Sequence, residues 1–290
     1  MFLLLSLGCP TENEFVARPF ESIAVVSGDF DNIEQTLDRL EVAYQLYEGY
    51  ICCAAYDGDI DPELISLEAE QLFSGKLQDG GSELGVHDAL FVNSGARGFG
   101  RWKYNGIEED DSIVSDTAVI DAVVEFVSRG RALVVSDWSY DLVERGWPDK
   151  IEFYGDDLQL DEAQAGNPGR ITARVTDDSL AVELGGDTVS LEFNYTNWAV
   201  MESVGEGVTV YLRGDVEYRI SESEGYGTLE NVPLLVGWDH GSGEVLFSSF
   251  HWNSQSAGVT DTLLTSTVER LDPGSADDAP QTSEDTGAAQ

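Results

Sequence analysis

Three short segments carry residue types that could do chemistry. Ser94-Gly-Ala-Arg-Gly-Phe-Gly100 is a loop whose glycines let backbone N–H groups face a ligand, and Arg97, Arg101 and Lys103 form the densest positive cluster in the chain. A bound anion or a developing oxyanion suits it. Val135-Ser-Asp-Trp138 runs from an apolar stretch into a turn that would expose Ser136 or Asp137 as a nucleophile elbow does. His251, in Ser249-Phe-His-Trp-Asn253, follows another apolar stretch and could act as a base. Ser136 or Asp137 with His251 would make a hydrolase. The alternatives are that Asp137 caps a helix beginning near Ser139 and that His251 is hydrogen-bonded at a hairpin end. The candidate ligand contacts are Ser94, Gly95, Arg97, Trp138 and Trp252. The two indoles could stack on a sugar or fill core volume.

These segments need elements that bring them together, and the sequence supplies an alternation of strands and helices. Ile23-Ala-Val-Val26 suits a strand covered on both faces, and Ile33, Leu37 and Leu40 recur at helical spacing after it. A second strand is expected at Val42 to Tyr47, and a helix from Pro62 to Phe73 with Asp61 as its cap. Ala89 to Val92 and Ala132 to Val135 read as further core strands, with helices at Thr117 to Ser128 and Asp141 to Arg145. From Asp156 to Leu229 the pattern changes to period-two segments at Ile171 to Val175, Val189 to Phe193, Trp198 to Met201 and Val208 to Leu212. A hairpin formed by Pro233 to Trp238 and Glu244 to Phe250, then a helix at Val259 to Leu271, return the chain to the first sheet. In open sheets of this kind, ligands lie outside the carboxyl ends of the strands, where all three segments fall.

Together the segments resemble the class I glutamine amidotransferase-like fold. Asp88-Ala-Leu-Phe-Val-Asn-Ser-Gly95 looks like that family's glycine-loop strand and Phe250-His251 like its Phe-His step. The resemblance implies an α/β fold, a flavodoxin-like or amidotransferase-like parallel sheet covered by helices on both faces, here with a β-rich insertion. It also implies an oxyanion loop, a cysteine at the elbow and a carboxylate partner for the histidine. This chain has Ser136-Asp137-Trp138 at the elbow and Asn253 at the partner position, so the glutaminase chemistry is not expected to carry over.

Composition narrows the partners. Fifteen Lys+Arg against 55 Asp+Glu leave a net charge of −40, which repels nucleic acid and anionic membrane surfaces. Met1-Phe-Leu-Leu-Leu-Ser-Leu-Gly-Cys9 resembles the end of a bacterial lipoprotein signal with Cys9 as the lipidated residue. Lacking a basic n-region, it is expected to be a truncated signal whose true start lies upstream. Residues 10–21 then form a tether, 22–155 with 229–271 a discontinuous α/β domain, 156–228 the insertion and 272–290 a disordered acidic tail. Cys52 and Cys53 read as small buried hydrophobes. Asp57-Gly-Asp-Ile-Asp61 with Glu68 has EF-hand spacing, but Pro62 and Ile65 stand where that loop needs glycine and a polar residue, so it reads as the acidic start of a helix. His87 and His240 lack metal-ligand spacing, and no metal or cofactor is expected. The expectation is a non-catalytic, lipid-anchored envelope protein that binds a small ligand or an envelope protein; the alternative is a hydrolase using Ser136 or Asp137 with His251.

Overall fold

The apolar runs read from the sequence form the centre of one sheet. A computed structural model describes residues 22–49, 68–74, 82–96, 113–155, 163–195, 198–221 and 223–270. The strands are β1 (Ile23–Val26), β2 (Gln45–Tyr47), β3 (Ala89–Val92), β4 (Ala132–Ser136), β5 (Ile151–Phe153), β6 (Gly169–Val175), β7 (Thr188–Phe193), β8 (Met201–Val204), β9 (Thr209–Ser221), β10 (Gly225–His240) and β11 (Gly243–Ser248). The helices are α1 (Glu34–Arg39), α2 (Glu68–Ser74), α3 (Thr117–Ser128), α4 (Tyr140–Gly146), α5 (Asp178–Leu184) and α6 (Ala257–Arg270).

Among the described residues nine strands form one sheet in the order β2-β1-β3-β4-β11-β10-β9-β6-β7. The five from β2 to β11 are parallel, and β10, β9, β6 and β7 continue the sheet antiparallel. β1, β3 and β4 are buried along their whole length, as strands covered on both faces must be. Their alternate side chains enter two different cores. Ala24, Val26, Leu90, Leu133 and Val135 pack with Leu72 of α2, Val123 of α3 and Leu142 of α4, whereas Ile23, Val25, Phe91 and Val134 pack with Leu37 of α1, Leu180 of α5 and Leu264 of α6. Helices therefore lie on both faces, and their stability comes from these apolar stripes.

The local chemistry of the helix ends is ordinary. Asp116 accepts a hydrogen bond from Ala118 N at 2.9 Å to start α3, and Asp177 accepts one from Leu180 N at 2.8 Å to start α5. Gly185, at φ 75°, ends α5 in the left-handed region.

The period-two segments are strands of the antiparallel half, with α5 placed among them. The Trp198 to Met201 segment differs from its expectation, since the strand there is β8, which pairs with β5 in a separate two-stranded ribbon. Where that segment approaches β6, Gly166 lies against the Trp198 indole so closely that a Cβ would overlap the ring. The acidic EF-hand-like run from Asp57, the two cysteines at 52 and 53, Cys9 and the tail lie outside the described residues. Among the described residues no helix is long and apolar enough to cross a membrane.

Candidate functional site

Three parallel strands end side by side, and each delivers one of the segments singled out above. β4 ends at Ser136, and the next residue, Asp137, has φ 45°, a left-handed backbone that side-chain-bearing residues seldom adopt. This is a sharp elbow leading through a 3₁₀ turn (Asp137–Ser139) into α4. β3 runs into Asn93, Ser94 and Gly95, the last at φ 78° with its α-carbon facing the Phe30 ring. β11 leads into Ser249, Phe250 and His251.

The three segments meet. His251 Nε2 lies 2.7 Å from Asp137 Oδ2 and 3.2 Å from Ser94 Oγ. Ser94 Oγ donates to Asp137 Oδ2 at 3.1 Å, and Ala199 N donates to the other carboxylate oxygen at 2.6 Å. Asp137 thus accepts from three donors at zero exposure, and His251 is 3% exposed. His251 Nδ1 faces Asn194 Oδ1 at 3.3 Å, and the Tyr195 ring stands edge-on to the imidazole with centroids 5.0 Å apart.

Two backbone donors of a kind that could receive an oxyanion are spoken for inside the site. Ser94 N donates to Ser136 Oγ at 2.9 Å, and Trp138 N, the donor directly after the elbow, to Ser94 Oγ at 3.2 Å. Ser139 Oγ donates to Asn93 O at 2.7 Å and holds the glycine loop against the elbow.

Electrostatics agree with a shared proton. Burial opposes the imidazolium, yet the Asp137 carboxylate beside it, and Asp31 further away, outweigh that and raise the His251 pKa above its ordinary value. Burial likewise raises the Asp137 pKa, with His251, Ala199 N–H and Ser94 pulling against it. Both shifts let the pair keep its proton to higher pH than free side chains would.

Some candidates sit elsewhere than the sequence suggested. Asp137 does not cap a helix: α4 starts at an N-cap of Ser139 without a side-chain cap bond, because the carboxylate points to His251, Ser94 and Ala199 instead. Trp138 and Trp252 are buried at 2% and 1% exposure, packed in the two separate cores with no face toward solvent. Ser136 turns its hydroxyl to the Ser94 amide. Asn253 does not meet the imidazole; its backbone N–H donates to Asp31 at 3.1 Å. Arg97, Arg101 and Lys103 lie outside the described residues.

Sequence reasoning missed four participants. Asp31, 2% exposed, accepts from Asn32 N, Trp252 N and Asn253 N and so fixes the turn that carries His251. Asn194, Tyr195 and Ala199 come from the stretch between β7 and β8. Asp31 stood in a visible Gly-Asp-Phe-Asp turn, but only its burial marks it. Among the described residues no group of three or more His, Cys, Asp and Glu is arranged to hold a metal.

No protein-family model matches the chain, and no curated protein matches it. Solved structures do. A protein of Bacteroides uniformis described as ThuA-like superposes with a TM-score of 0.50 at 9% identity, over 90% of this chain and 94% of that one. A ThuA-like protein of Parabacteroides merdae gives 0.47 at 11% identity, over 89% and 91%. A glutamine amidotransferase of Thermotoga maritima gives 0.43 at 9% identity, over 88% and 89%. The first likeness shows the fold: a ThuA-like α/β sheet with helices on both faces. At such identities it shows the fold alone.

Proposed function

We propose that this chain is a non-catalytic member of its fold that binds a small ligand or a partner protein at the cell envelope, held to the membrane by lipid on Cys9. The observation that carries the non-catalytic part is the closure of the elbow. Its carboxylate is triply hydrogen-bonded at zero exposure, and Ser94 N and Trp138 N are both taken by serine hydroxyls of the same chain. A substrate carbonyl would find neither a free nucleophile nor a free donor there. In this reading the elbow is a clasp that joins β3, β4, β11 and the stretch before β8.

The hydrolase reading rests on one observation of its own: Asp137 keeps the left-handed elbow conformation and lies 2.7 Å from an imidazole. An aspartate nucleophile with a histidine that activates water has that pairing. The two readings part on turnover. The purified full chain, beside His251→Ala, is assayed for ammonia release from glutamine and for hydrolysis of p-nitrophenyl esters. The binding reading expects equal background rates. Turnover that disappears in the variant would sink it in favour of the hydrolase. For the anchor, the chain expressed from its natural gene should partition into detergent, and Cys9→Ala should release it; partitioning unchanged by the substitution would rule the lipid out.

A further inference from the structure

Four arginines of this acidic chain sit beside a carboxylate. Arg39 pairs with Asp261, Arg129 with Glu125, Arg131 with Asp88, and Arg170 with Glu192 directly across β6 and β7. Arg174 and Arg213 depart from this. They are register partners on the neighbouring strands β6 and β9, so two like charges stand opposite each other, and among the described residues neither makes an ion pair. Such a pair opposes the fold unless something compensates it.

What holds the two side chains is Asn231. Arg174 Nη2 donates to Asn231 Oδ1 at 3.3 Å and Arg213 Nη1 to Asn231 O at 3.1 Å. Asn231 itself sits at φ 55° where the register of β10 shifts between Leu229 and Val232, and its N–H donates to Asp215 Oδ1 at 2.8 Å. The irregularity in β10 therefore turns one residue to serve both guanidinium groups. Each still has donors to spare, since a guanidinium carries five N–H groups. The exposed Thr188 is the register partner of Arg174 on β7 and places a hydroxyl-bearing residue in the same transverse row.

We propose that Arg174 and Arg213, set by Asn231, form a binding site for a small oxyanion of the phosphate or sulfate class. Two adjacent guanidinium forks match the several oxygens of such an ion and would relieve their mutual repulsion. The source is assigned to a free ion or a soluble ligand bearing that group, and the vesicle arm of the test separates it from a lipid headgroup. This site is separate from the elbow and does not rest on the reading given there.

The test uses the full chain at constant ionic strength in NaCl, titrated with inorganic phosphate and followed by ³¹P line broadening and calorimetry. Saturable binding is expected, weakened at least about tenfold by Arg174→Gln or Arg213→Gln. Arg174→Lys, which keeps the charge and loses the fork, should also weaken it, while Arg170→Gln should leave it unchanged. Absence of saturable binding would overturn the proposal, as would equal weakening by the Arg170 variant. Arginine-dependent sedimentation of the chain with phosphatidylglycerol vesicles would overturn the assignment to a soluble ligand.

Discussion

Replacing Asp137 by alanine tests the clasp most directly. The substitution leaves His251, 3% exposed, without its counter-charge, and leaves Ala199 N–H without its acceptor in a buried site. Removing one partner of a buried ion pair costs about 3–5 kcal/mol, and a stranded backbone donor about 1–3 kcal/mol more. The imidazole can shed its proton and escape part of the first cost, so the expected loss is about 4 kcal/mol. In a chain of this size that corresponds to a fall in Tm of about 10 °C. Asp137→Asn keeps an oxygen for Ala199 N–H and offers an amide N–H to a neutral imidazole, so it should cost only about 1–2 kcal/mol. Urea unfolding of the three chains, followed by fluorescence of the buried tryptophans, reads both numbers, with the slope unchanged if the unfolded state is. A loss below about 1 kcal/mol for the alanine variant would refute the reasoning, because it would mean that neither the pair nor the amide needs the carboxylate.

Other outcomes follow from the same structure. The raised His251 pKa makes the pair's contribution full below the ordinary imidazole value of 6.5 and lost as pH rises through the folded-state value. The stability gap between the natural chain and His251→Gln should therefore be widest near pH 6 and narrow on the alkaline side; a gap that widens toward alkaline pH would contradict this. Gly166→Ala should destabilise by about 1–3 kcal/mol, since its Cβ overlaps the Trp198 indole. Unchanged urea midpoints would mean that the indole moves freely. Sodium chloride should raise Tm between low and molar concentration, because the chain's 55 acidic residues far outnumber its 15 basic ones. A flat or falling Tm would count against charge repulsion as a cost to the fold.

The parallel half of the sheet was readable because its signals are local. The strands at 23–26 and 89–92 and the helix at 117–128 are written in apolar runs and helical spacing, and they occur where those patterns place them. The expected strand from Val42 shortens to Gln45–Tyr47, and of the helix expected from Pro62 the structure describes Glu68–Ser74. Helix α5 escaped notice because it is seven residues long inside a region of strand periodicity. Its cap at Asp177 and its stop at Gly185 were present as signals. The convergence of Ser94, Asp137 and His251 could be inferred only through a fold, and Asn194 and Asp31 not even so. They lie 57 and 221 residues from the residues whose atoms they contact, and nothing in their neighbours along the chain marks them.

The position of β11 bears on how the molecule assembles. It lies between β4 and β10 and is the central strand that joins the parallel half to the antiparallel half, yet it is made after both. Asp137 and His251 are 114 residues apart in sequence, so the clasp cannot close until that strand has been threaded into place. Pairings of such separation slow folding, and until they form β4 presents an open apolar edge to other chains. A nascent chain halted before Gly243 would hold most of its strands and still be prone to aggregate along that edge.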